Sequence, residues 1–378
     1  MRYHLSFFYL FYFAMVGVYV IFIPKVLLDF NYSKLEVGII YAAAPFMRFL
    51  LPYAFKYLFR LTHHIYLLAL GLTFLATLIF LQTVENFWLY LFANLLFGAS
   101  MGIILPFVET ISLSQISKKE YGKIRLWGSV GFVVVALWLG NITHSSYESL
   151  YYLIGTALFT LLFGYIVLQY DSEVENKKQE SSKSFSLTKF WAFWSSIFLM
   201  QVAFGGFYNF FTIYELEQGL SLTVVTLLWT FGVLCEIVML YFQGALLQRN
   251  LLTILQIATF ITAFRWLLLY LFADNIMVTF ASQSLHAISF ALYHTAVITY
   301  VFKLYSEKKL AQQFLLGIGF GLGGTVGSLI AGHYYGDSLF LIEAFITFMA
   351  GIMLLIHQKR VYLKLSSSAF YLNFKQKY

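Results

Sequence analysis

Residues 171–189 read DSEVENKKQESSKSFSLTK, and this polar stretch divides the 378-residue chain into two apolar halves. It carries four acids and four lysines, interleaved with Ser, Asn and Gln, in a chain that is 61% hydrophobic. A segment of this composition cannot bury enough apolar surface to fold by itself. We interpret it as a cytoplasmic linker between two membrane-embedded halves, rather than as an ordinary loop between neighbouring helices.

The composition is typical of a multi-pass membrane protein. Mean hydropathy is +0.78, 11% of the residues are charged and 20% are aromatic, which is more apolar surface than a soluble core requires. Basic loops on the cytoplasmic side explain the net charge of +7 better than a nucleic-acid partner does, so none is expected. The lone Cys235 excludes an internal disulfide framework, and we expect no metal and no cofactor.

Twelve apolar stretches can each cross a bilayer, which takes about 20 residues of helix. Six lie in the first half, near residues 5–24, 35–57, 65–82, 87–114, 125–142 and 149–169. Six lie in the second half, near residues 190–214, 222–245, 251–272, 276–303, 311–332 and 339–357. The sequence predicts an all-α membrane fold with two six-helix halves, 1–170 and 190–357, and a cytoplasmic tail, 358–378.

The basic residues support this threading. Of the 24 Lys and Arg, 20 fall on one side of the predicted membrane, two fall inside spans, and only Lys25 and Lys34 fall on the other side. Such asymmetry marks the cytoplasmic side, and an extra or missing helix would scramble it. The sequence therefore predicts that both termini are cytoplasmic.

A weak internal repeat relates the halves. A shift of 188 residues places Asp29-Phe-Asn-Tyr-Ser33 on Glu217-Gln-Gly-Leu-Ser221, an acid followed by a serine suited to cap the next helix. The same shift places Arg48 on Glu236, both in the middle of a span. Two six-helix halves in the same orientation indicate a secondary transporter with its substrate site near the midplane between them.

Ionisable residues inside spans cost free energy, so each is a functional candidate. The candidates are Arg48, Glu109, Glu236, Arg265, His286 and His294. Their formal charges cancel when the histidines are neutral, which favours pairing in a shared polar cavity. The alternative is that these residues only lock the two halves together.

Glu236 is our candidate for the proton-coupling group. Burial and a neighbouring arginine act on a carboxyl in opposite directions, so a carboxyl between them can take and release a proton. We predict that Glu236 pairs with Arg265 or Arg48 in one state of the cycle. Glu109 lies near the cytoplasmic end of its span, so it either takes part in coupling or pairs with the basic residues 118–125.

Two further spans carry polar groups. In the tenth span, Gln283 and Tyr293 lie within about 60° of His286 on the helical wheel and form one polar stripe, although a lone histidine can simply be a packing residue. In the seventh span, Gly205-Gly206 allows local unwinding, and Tyr208 and Asn209 could donate to a substrate. The alternative for the seventh span is helix packing.

The stretch Gly319-Phe-Gly-Leu-Gly-Gly324 matches the G-x-G-x-x-G dinucleotide fingerprint, but no strand precedes it and apolar residues continue after it. We interpret its glycines as small residues that let helices approach closely and slide. Gly321, Gly324 and Gly327 are the predicted packing or gating positions of this helix. We find no P-loop, no nucleophile elbow and no H-E-x-x-H motif.

Several segments resemble the phenylpropionate permease group of the major facilitator superfamily. They are Tyr121-Gly-Lys-Ile-Arg-Leu-Trp-Gly-Ser-Val-Gly131, Tyr208–Tyr214, Leu228–Glu236, Arg265-Trp266, Leu285–His294 and Gly321–Gly327. The likeness implies the major facilitator fold, proton-coupled import by alternating access, and packing or gating roles for Arg125 and Gly128. That group is similar to the oligosaccharide–proton symporters, which also place an acid, an arginine and a histidine in helices 8, 9 and 10, as Glu236, Arg265 and His286 do here.

One segment departs from the superfamily pattern. The loop between helices 2 and 3 usually reads G-x-x-x-D-R/K-x-G-R/K-R/K, whereas residues 51–64 here read LPYAFKYLFRLTHH. The loop stays basic, but its glycines and aspartate are missing. This puts in doubt the gating salt bridge that is usually assigned to the motif.

Our leading hypothesis is a monomeric bacterial inner-membrane symporter that imports a small organic acid, such as an aromatic one, with protons. A substrate carboxylate would dock on Arg48 or Arg265 with aromatic walls around its ring. The alternatives are a sugar or nucleoside transporter, an exporter, and a non-transporting membrane sensor. An enzyme is not expected, because no catalytic constellation is recognisable.

Overall fold

The computed structural model describes residues 1–57, 62–116, 118–142, 145, 147–170, 186–305 and 307–375. Most of the predicted linker, residues 171–185, lies outside these ranges. All the regular elements of the described ranges are helices. They give twelve long helices, in agreement with the predicted spans.

In the first half, the helices are α1 (Arg2–Asp29), α2 (Lys34–Tyr57), α3 (His63–Thr83), α4 (Phe87–Gln115), α5 (Lys118–Ile142) and α6 (Glu148–Leu168). In the second half they are α7 (Trp191–Glu217), α8 (Leu222–Phe242), α9 (Leu251–Leu271), α10 (Ile276–Leu304), α11 (Lys308–His333) and α12 (Leu339–Lys375). Within the described residues, all of these except α2 contain a stretch that is long and apolar enough to cross a membrane. The 24-residue α2 spans about 36 Å at 1.5 Å per residue.

Two helices extend beyond their predicted ends. Helix α5 begins at Lys118 rather than at residue 125, so Arg125 lies within a helix and not at the end of a loop. Helix α12 continues past residue 357 to Lys375, through most of the segment predicted as a tail. Hydropathy marks where a span leaves the apolar region, and a helix can continue into the polar region because its backbone hydrogen bonds are internal.

Each half packs mainly upon itself, and among the described residues the main contacts between the halves join α2 with α11, α5 with α8, α1 with α7 and α2 with α7. We call the end of the bundle that holds the start of α1 the Arg2 end, and the end that holds the start of α2 the Lys34 end. The first corresponds to the predicted cytoplasmic side. These pairs place α1, α2, α5, α7, α8 and α11 at the interface between the halves.

The internal repeat is visible in the backbone. Asn31 (φ 62°) and Gly219 (φ 88°) both adopt the left-handed region, and they are 188 residues apart. Each lies in a turn that follows the first helix of its half. In the first turn, the Tyr32 amide donates to the Leu27 carbonyl, and in the second the Leu220 amide donates to the Glu215 carbonyl, again at a shift of 188.

Serine caps the helix after each turn. The Ser33 hydroxyl accepts from the Glu36 amide at 3.3 Å, and the Ser221 hydroxyl accepts from the Val224 amide at 3.4 Å. In the first cap, the Glu36 carboxylate also accepts from the Ser33 amide at 2.8 Å, which completes a capping box. The predicted serine caps are therefore confirmed.

Glycine allows close helix contacts at equivalent places in the two halves. A Cβ at Gly131 of α5 would overlap the Leu10 carbonyl of α1, and a Cβ at Gly327 of α11 would overlap the Val202 carbonyl of α7. The backbone of Gly327 also lies directly against Gly205. In both halves, a glycine lets the fifth helix approach the first.

Candidate functional site

Arg265 of α9 is the centre of a buried polar cluster. Its guanidinium is fully buried and reaches three side chains of α10: the Gln283 oxygen at 2.9 Å, His286 Nδ1 at 3.0 Å and the Ser289 hydroxyl at 3.0 Å. The Phe207 ring of α7 lies 4.3 Å from the guanidinium carbon. Three neutral hydrogen-bond partners and an aromatic face hold this cation in a fixed place.

His286 links this cluster to Glu236 of α8. A guanidinium can only donate, so His286 Nδ1 accepts from Arg265, and the proton of the neutral ring lies on Nε2. That nitrogen lies 3.8 Å from the Glu236 carboxylate. Glu236 keeps 16% of its side chain accessible, against 7% for His286. The arrangement therefore places the carboxyl between a histidine and the more accessible part of the site.

The structure places His286 where we predicted a direct ion pair. Within the described residues, no ion pair joins Glu236 to Arg265 or to Arg48. Instead, the His286 ring is hydrogen-bonded to Arg265 and lies 3.8 Å from the Glu236 carboxylate. The structure brings the three residues together in the order Arg265, His286, Glu236.

Arg48 of α2 has a different environment. Its side chain is partly accessible to solvent and lies within electrostatic range of Tyr12 and Tyr19 of α1. Both hydroxyls donate elsewhere, Tyr12 to the Met101 carbonyl and Tyr19 to the Asn94 side chain, so their oxygens remain acceptors. Within the described part of the chain, no carboxylate pairs with Arg48.

Glu109 of α4 pairs with Arg125 of α5, with 3.6 Å between Arg125 Nε and Glu109 Oε1. The Arg125 guanidinium also lies 4.1 Å from the centre of the Phe13 ring. This is the pairing with the basic 118–125 segment that was one of the two alternatives. Arg125 also lies within electrostatic range of Glu236, so it connects the acids of the two halves.

Tyr208 and Asn209 have separate surroundings. Tyr208 stacks on Phe204, with 5.4 Å between ring centres, and lies within electrostatic range of Glu236 and Arg265. Asn209 instead donates to the Ser328 hydroxyl of α11 at 2.6 Å. The structure therefore brings Tyr208 to the cluster, whereas Asn209 joins α7 to α11.

Helix α7 is continuous from Trp191 to Glu217, so the predicted local unwinding at Gly205-Gly206 is absent from it. The glycines serve close packing instead. Gly205 lies against Gly327, and the Gly206 amide donates to the Glu343 carboxylate of α12. Neither contact leaves space for a side chain, which explains two adjacent glycines without a break in the helix.

The predicted packing glycines all lie against neighbouring elements. A Cβ at Gly128 would lie 2.7 Å from Phe13, one at Gly321 would lie 2.9 Å from Phe49, and one at Gly324 would lie 3.2 Å from Pro45. Gly321 and Gly324 thus form the contact between α11 and α2 beside Arg48. Residues 315–323 of α11 form a wider π-helical segment at this contact.

Sequence reasoning missed Ser289, Phe207 and Glu343. Ser289 follows His286 by three residues, as His286 follows Gln283, so the i, i+3, i+6 spacing was a usable signal. The predicted stripe named Tyr293 instead, but residues 287–292 are π-helical, which changes the rotation per residue before Tyr293 is reached. Phe207 offered no signal, because phenylalanine is common throughout the chain.

The halves are in contact at the Lys34 end. The Lys34 ammonium of α2 lies 2.5 Å from the Glu217 carboxylate of α7, and the Tyr335 hydroxyl donates to the same carboxylate at 2.5 Å. Nearby, the Thr223 hydroxyl of α8 donates to the Gly140 carbonyl of α5 at 2.7 Å. These contacts close the space between the halves at this end.

The model of the MFS_1 like family matches residues 2–349. The chain belongs to this family. It is therefore a multi-pass membrane transporter of the major facilitator type, and not an enzyme. The resemblance inferred from the sequence motifs is confirmed.

Two bacterial relatives match much of this MFS_1 like chain. The uncharacterized transporter YwbF of Bacillus subtilis is 25% identical over 272 residues, which cover 70% of this chain and 68% of the relative. The probable 3-phenylpropionic acid transporter of Escherichia coli is 25% identical over 254 residues, which cover 61% of this chain and 64% of the relative.

Solved structures agree with the family fold. A mutant form of the nucleoside transporter NupG superposes with a TM-score of 0.79 at 15% identity, covering 94% of this chain and 99% of that one. The human organic anion transporter MFSD10 superposes with a TM-score of 0.64 at 13% identity, covering 94% and 98%. At these identities the likeness shows the fold alone.

Proposed function

We propose that this protein is a proton-coupled symporter that imports a small organic anion across the bacterial inner membrane by alternating access. The observation that carries the proposal is Arg48, a mid-span cation that is partly accessible and has no carboxylate partner among the described residues. An uncompensated cation inside a span is costly unless it serves a ligand or a pathway. A substrate carboxylate would supply the missing partner in bidentate geometry.

The surroundings of Arg48 favour an aromatic acid. Tyr12 and Tyr19 of α1 lie beside the arginine. Aromatic walls with few polar groups are the usual surroundings of a small aromatic ligand. The Escherichia coli relative, named as a 3-phenylpropionic acid transporter, supports the same substrate class.

Glu236 is our choice for the coupled proton. It is more accessible than His286, lies on the opposite half from Arg48, and is near Arg125. A site that takes one anion at Arg48 and one proton at Glu236 leaves its net charge unchanged, which avoids the cost of moving a charge through the membrane. His286 and Arg265 position this carboxyl.

A neutral sugar or nucleoside has less support. Such substrates are held by amides and hydroxyls, but three amides inside the spans already use a polar atom in a bond within the protein. Asn94 bonds Tyr19, Asn209 bonds Ser328 and Gln283 bonds Arg265.

Proton movement in sealed liposomes tests the function. Purified protein is exposed in turn to aromatic acids, sugars and nucleosides, with a pH-sensitive dye outside the vesicles, and each addition is repeated with Glu236→Gln. We expect alkalinisation outside with aromatic acids only, and its loss in the variant. If only sugars or nucleosides cause alkalinisation, the proposal that the substrate is an organic anion is wrong. Entry of labelled acid without proton movement would reject the coupling.

A further inference from the structure

Glu343 of α12 is a buried carboxyl that the site described above does not use. Its side chain is 3% exposed, and it lies between α12 and the backbone of α7. One carboxyl oxygen accepts from the Gly206 amide, and the Phe207 amide also lies within hydrogen-bonding reach. The other oxygen, Oε2, is buried and has no partner among the described residues.

The chain is built to admit this carboxyl. A Cβ at residue 206 would overlap Glu343 Oε1, so only glycine leaves the α7 backbone open to it. Glu343 also lies in the wall of a crevice between α7, α11 and α12, together with Val202, Ala331 and Ile346. Tyr334, which is 58% exposed, lies at the Lys34 end of the same crevice.

No cation compensates Glu343 at close range. Within the described residues, no ion pair includes it. The charged group near it is Arg265 of α9, which acts from beyond ion-pair distance. The residues that α7 and α11 contribute to the crevice are apolar, and its other titratable group is the Tyr334 phenol. An ionised carboxylate with an unbonded oxygen is costly in such surroundings.

We propose that Glu343 is a second proton-binding site, in which a proton on Oε2 neutralises the carboxyl while Oε1 accepts from the α7 backbone. Protons reach it from the Lys34 end, along the crevice beside Tyr334. The site does not depend on the proposed role of Glu236, because it stands on separate helices and separate contacts.

Phe207 connects this site to the central cluster. Its amide lies against Glu343, whereas its ring lies 4.3 Å from the Arg265 guanidinium and 5.7 Å from the His286 ring. Loss of the proton would place a negative charge on the far side of Phe207 from Arg265. The protonation state of Glu343 therefore changes the electrostatic potential at Arg265, the residue that orients His286.

Infrared difference spectroscopy tests the site directly. Wild-type protein in lipid bilayers is titrated with alkali, and the carbonyl band of protonated carboxyl groups is followed. We expect a band that disappears as the pH rises, and that is absent from Glu343→Gln, which keeps the side-chain size and the acceptor for Gly206. Glu85→Gln, which removes an exposed acid between α3 and α4, should leave the band unchanged.

A second variant, Glu343→Asp, keeps the test valid if Glu343→Gln does not fold. Glu343→Asp should retain a titrating band at a shifted frequency, because a carboxyl remains near the same backbone. Identical band loss in the wild type and Glu343→Gln would show that Glu343 carries no proton and would overturn the proposal. Loss of the band on adding sodium chloride at constant pH would also overturn it, because the site would then hold a metal cation.

Discussion

Arg48 and Glu236 lie 188 residues apart, at equivalent places in the two halves, yet their surroundings are opposite. Arg48 is a cation beside tyrosine hydroxyls and has no carboxylate partner among the described residues. Glu236 is an acid 3.8 Å from a histidine that is itself fixed by Arg265. The repeat has kept the backbone and changed the chemistry, and we infer that the halves divide the work: one binds the anion and the other holds the proton.

The contrast extends to the two arginines. Arg265 is fully buried, and its terminal nitrogens already bond Gln283, His286 and Ser289. A substrate would have to displace these bonds, whereas at Arg48 it would displace water. The sequence alone did not decide whether Arg48 or Arg265 binds the substrate carboxylate. The difference in their hydrogen-bond partners favours Arg48.

Replacement of Arg48 should have the largest effect. In the proposed function, Arg48→Gln removes the charge that meets the substrate carboxylate, and loss of one partner of such a pair costs about 2–5 kcal/mol. We expect the affinity for an aromatic acid to fall at least about 30-fold, measured by equilibrium binding to protein in detergent. Arg48→Lys, which keeps the charge without the planar fork, should recover part of the loss. Unchanged binding by Arg48→Gln would show that Arg48 does not bind the substrate carboxylate, which would contradict the proposed division of roles between the halves.

Glycine substitutions should affect the two halves alike. Gly131→Ala and Gly327→Ala each force a methyl group into a neighbouring backbone carbonyl, at a cost of about 1–3 kcal/mol. Both should lower the midpoint of thermal unfolding in detergent. Gly317→Ala in α11 is the matched control, because nothing lies within 4 Å of the added Cβ. If only one of the two variants lowers the unfolding midpoint strongly, the two glycine contacts do not contribute equally to stability.

Arg265→Lys separates positioning from substrate binding. A lysine cannot donate in a planar fork to Gln283 and His286 together, so a buried acceptor loses its bond at a cost of about 1–3 kcal/mol. We expect reduced thermal stability but an aromatic-acid affinity within about threefold of the wild type. A loss of affinity as large as that of Arg48→Gln would assign the anion to Arg265 instead.

The contact at the Lys34 end should have the smallest effect. Glu217→Gln weakens an exposed ion pair between the halves, worth at most about 1 kcal/mol. The ratio of closed to open molecules at this end should fall by up to about fivefold, seen as a larger fraction of long distances between spin labels at residues 85 and 274 in a Cys235→Ser background. Lys25→Gln is the control, because its partner Asp29 lies on the same helix. A larger change in the control would exclude a gating role for Glu217.

The sequence was sufficient for the fold because membrane helices follow from hydropathy and charge, which are local properties. The twelve spans, the serine caps at Ser33 and Ser221, and the mid-span ionisable residues could all be read in this way. Partners across helices could not. His286 between Arg265 and Glu236, and Asn209 directed at Ser328, depend on the rotation of each helix about its axis. Glu343 lies inside the predicted span 339–357 and therefore met the criterion for a candidate, but its contact with Gly206 could not be read from the sequence.

The most direct test of the division of work is the number of protons taken up when substrate binds. Calorimetric titration of an aromatic acid into purified protein, repeated in buffers of different ionisation enthalpy, gives this number without transport. We predict about one proton per substrate for the wild type, and none for Glu236→Gln, which should still bind the acid. If Glu236→Gln binds the acid and takes up the same proton, the proton site lies elsewhere and the account is contradicted.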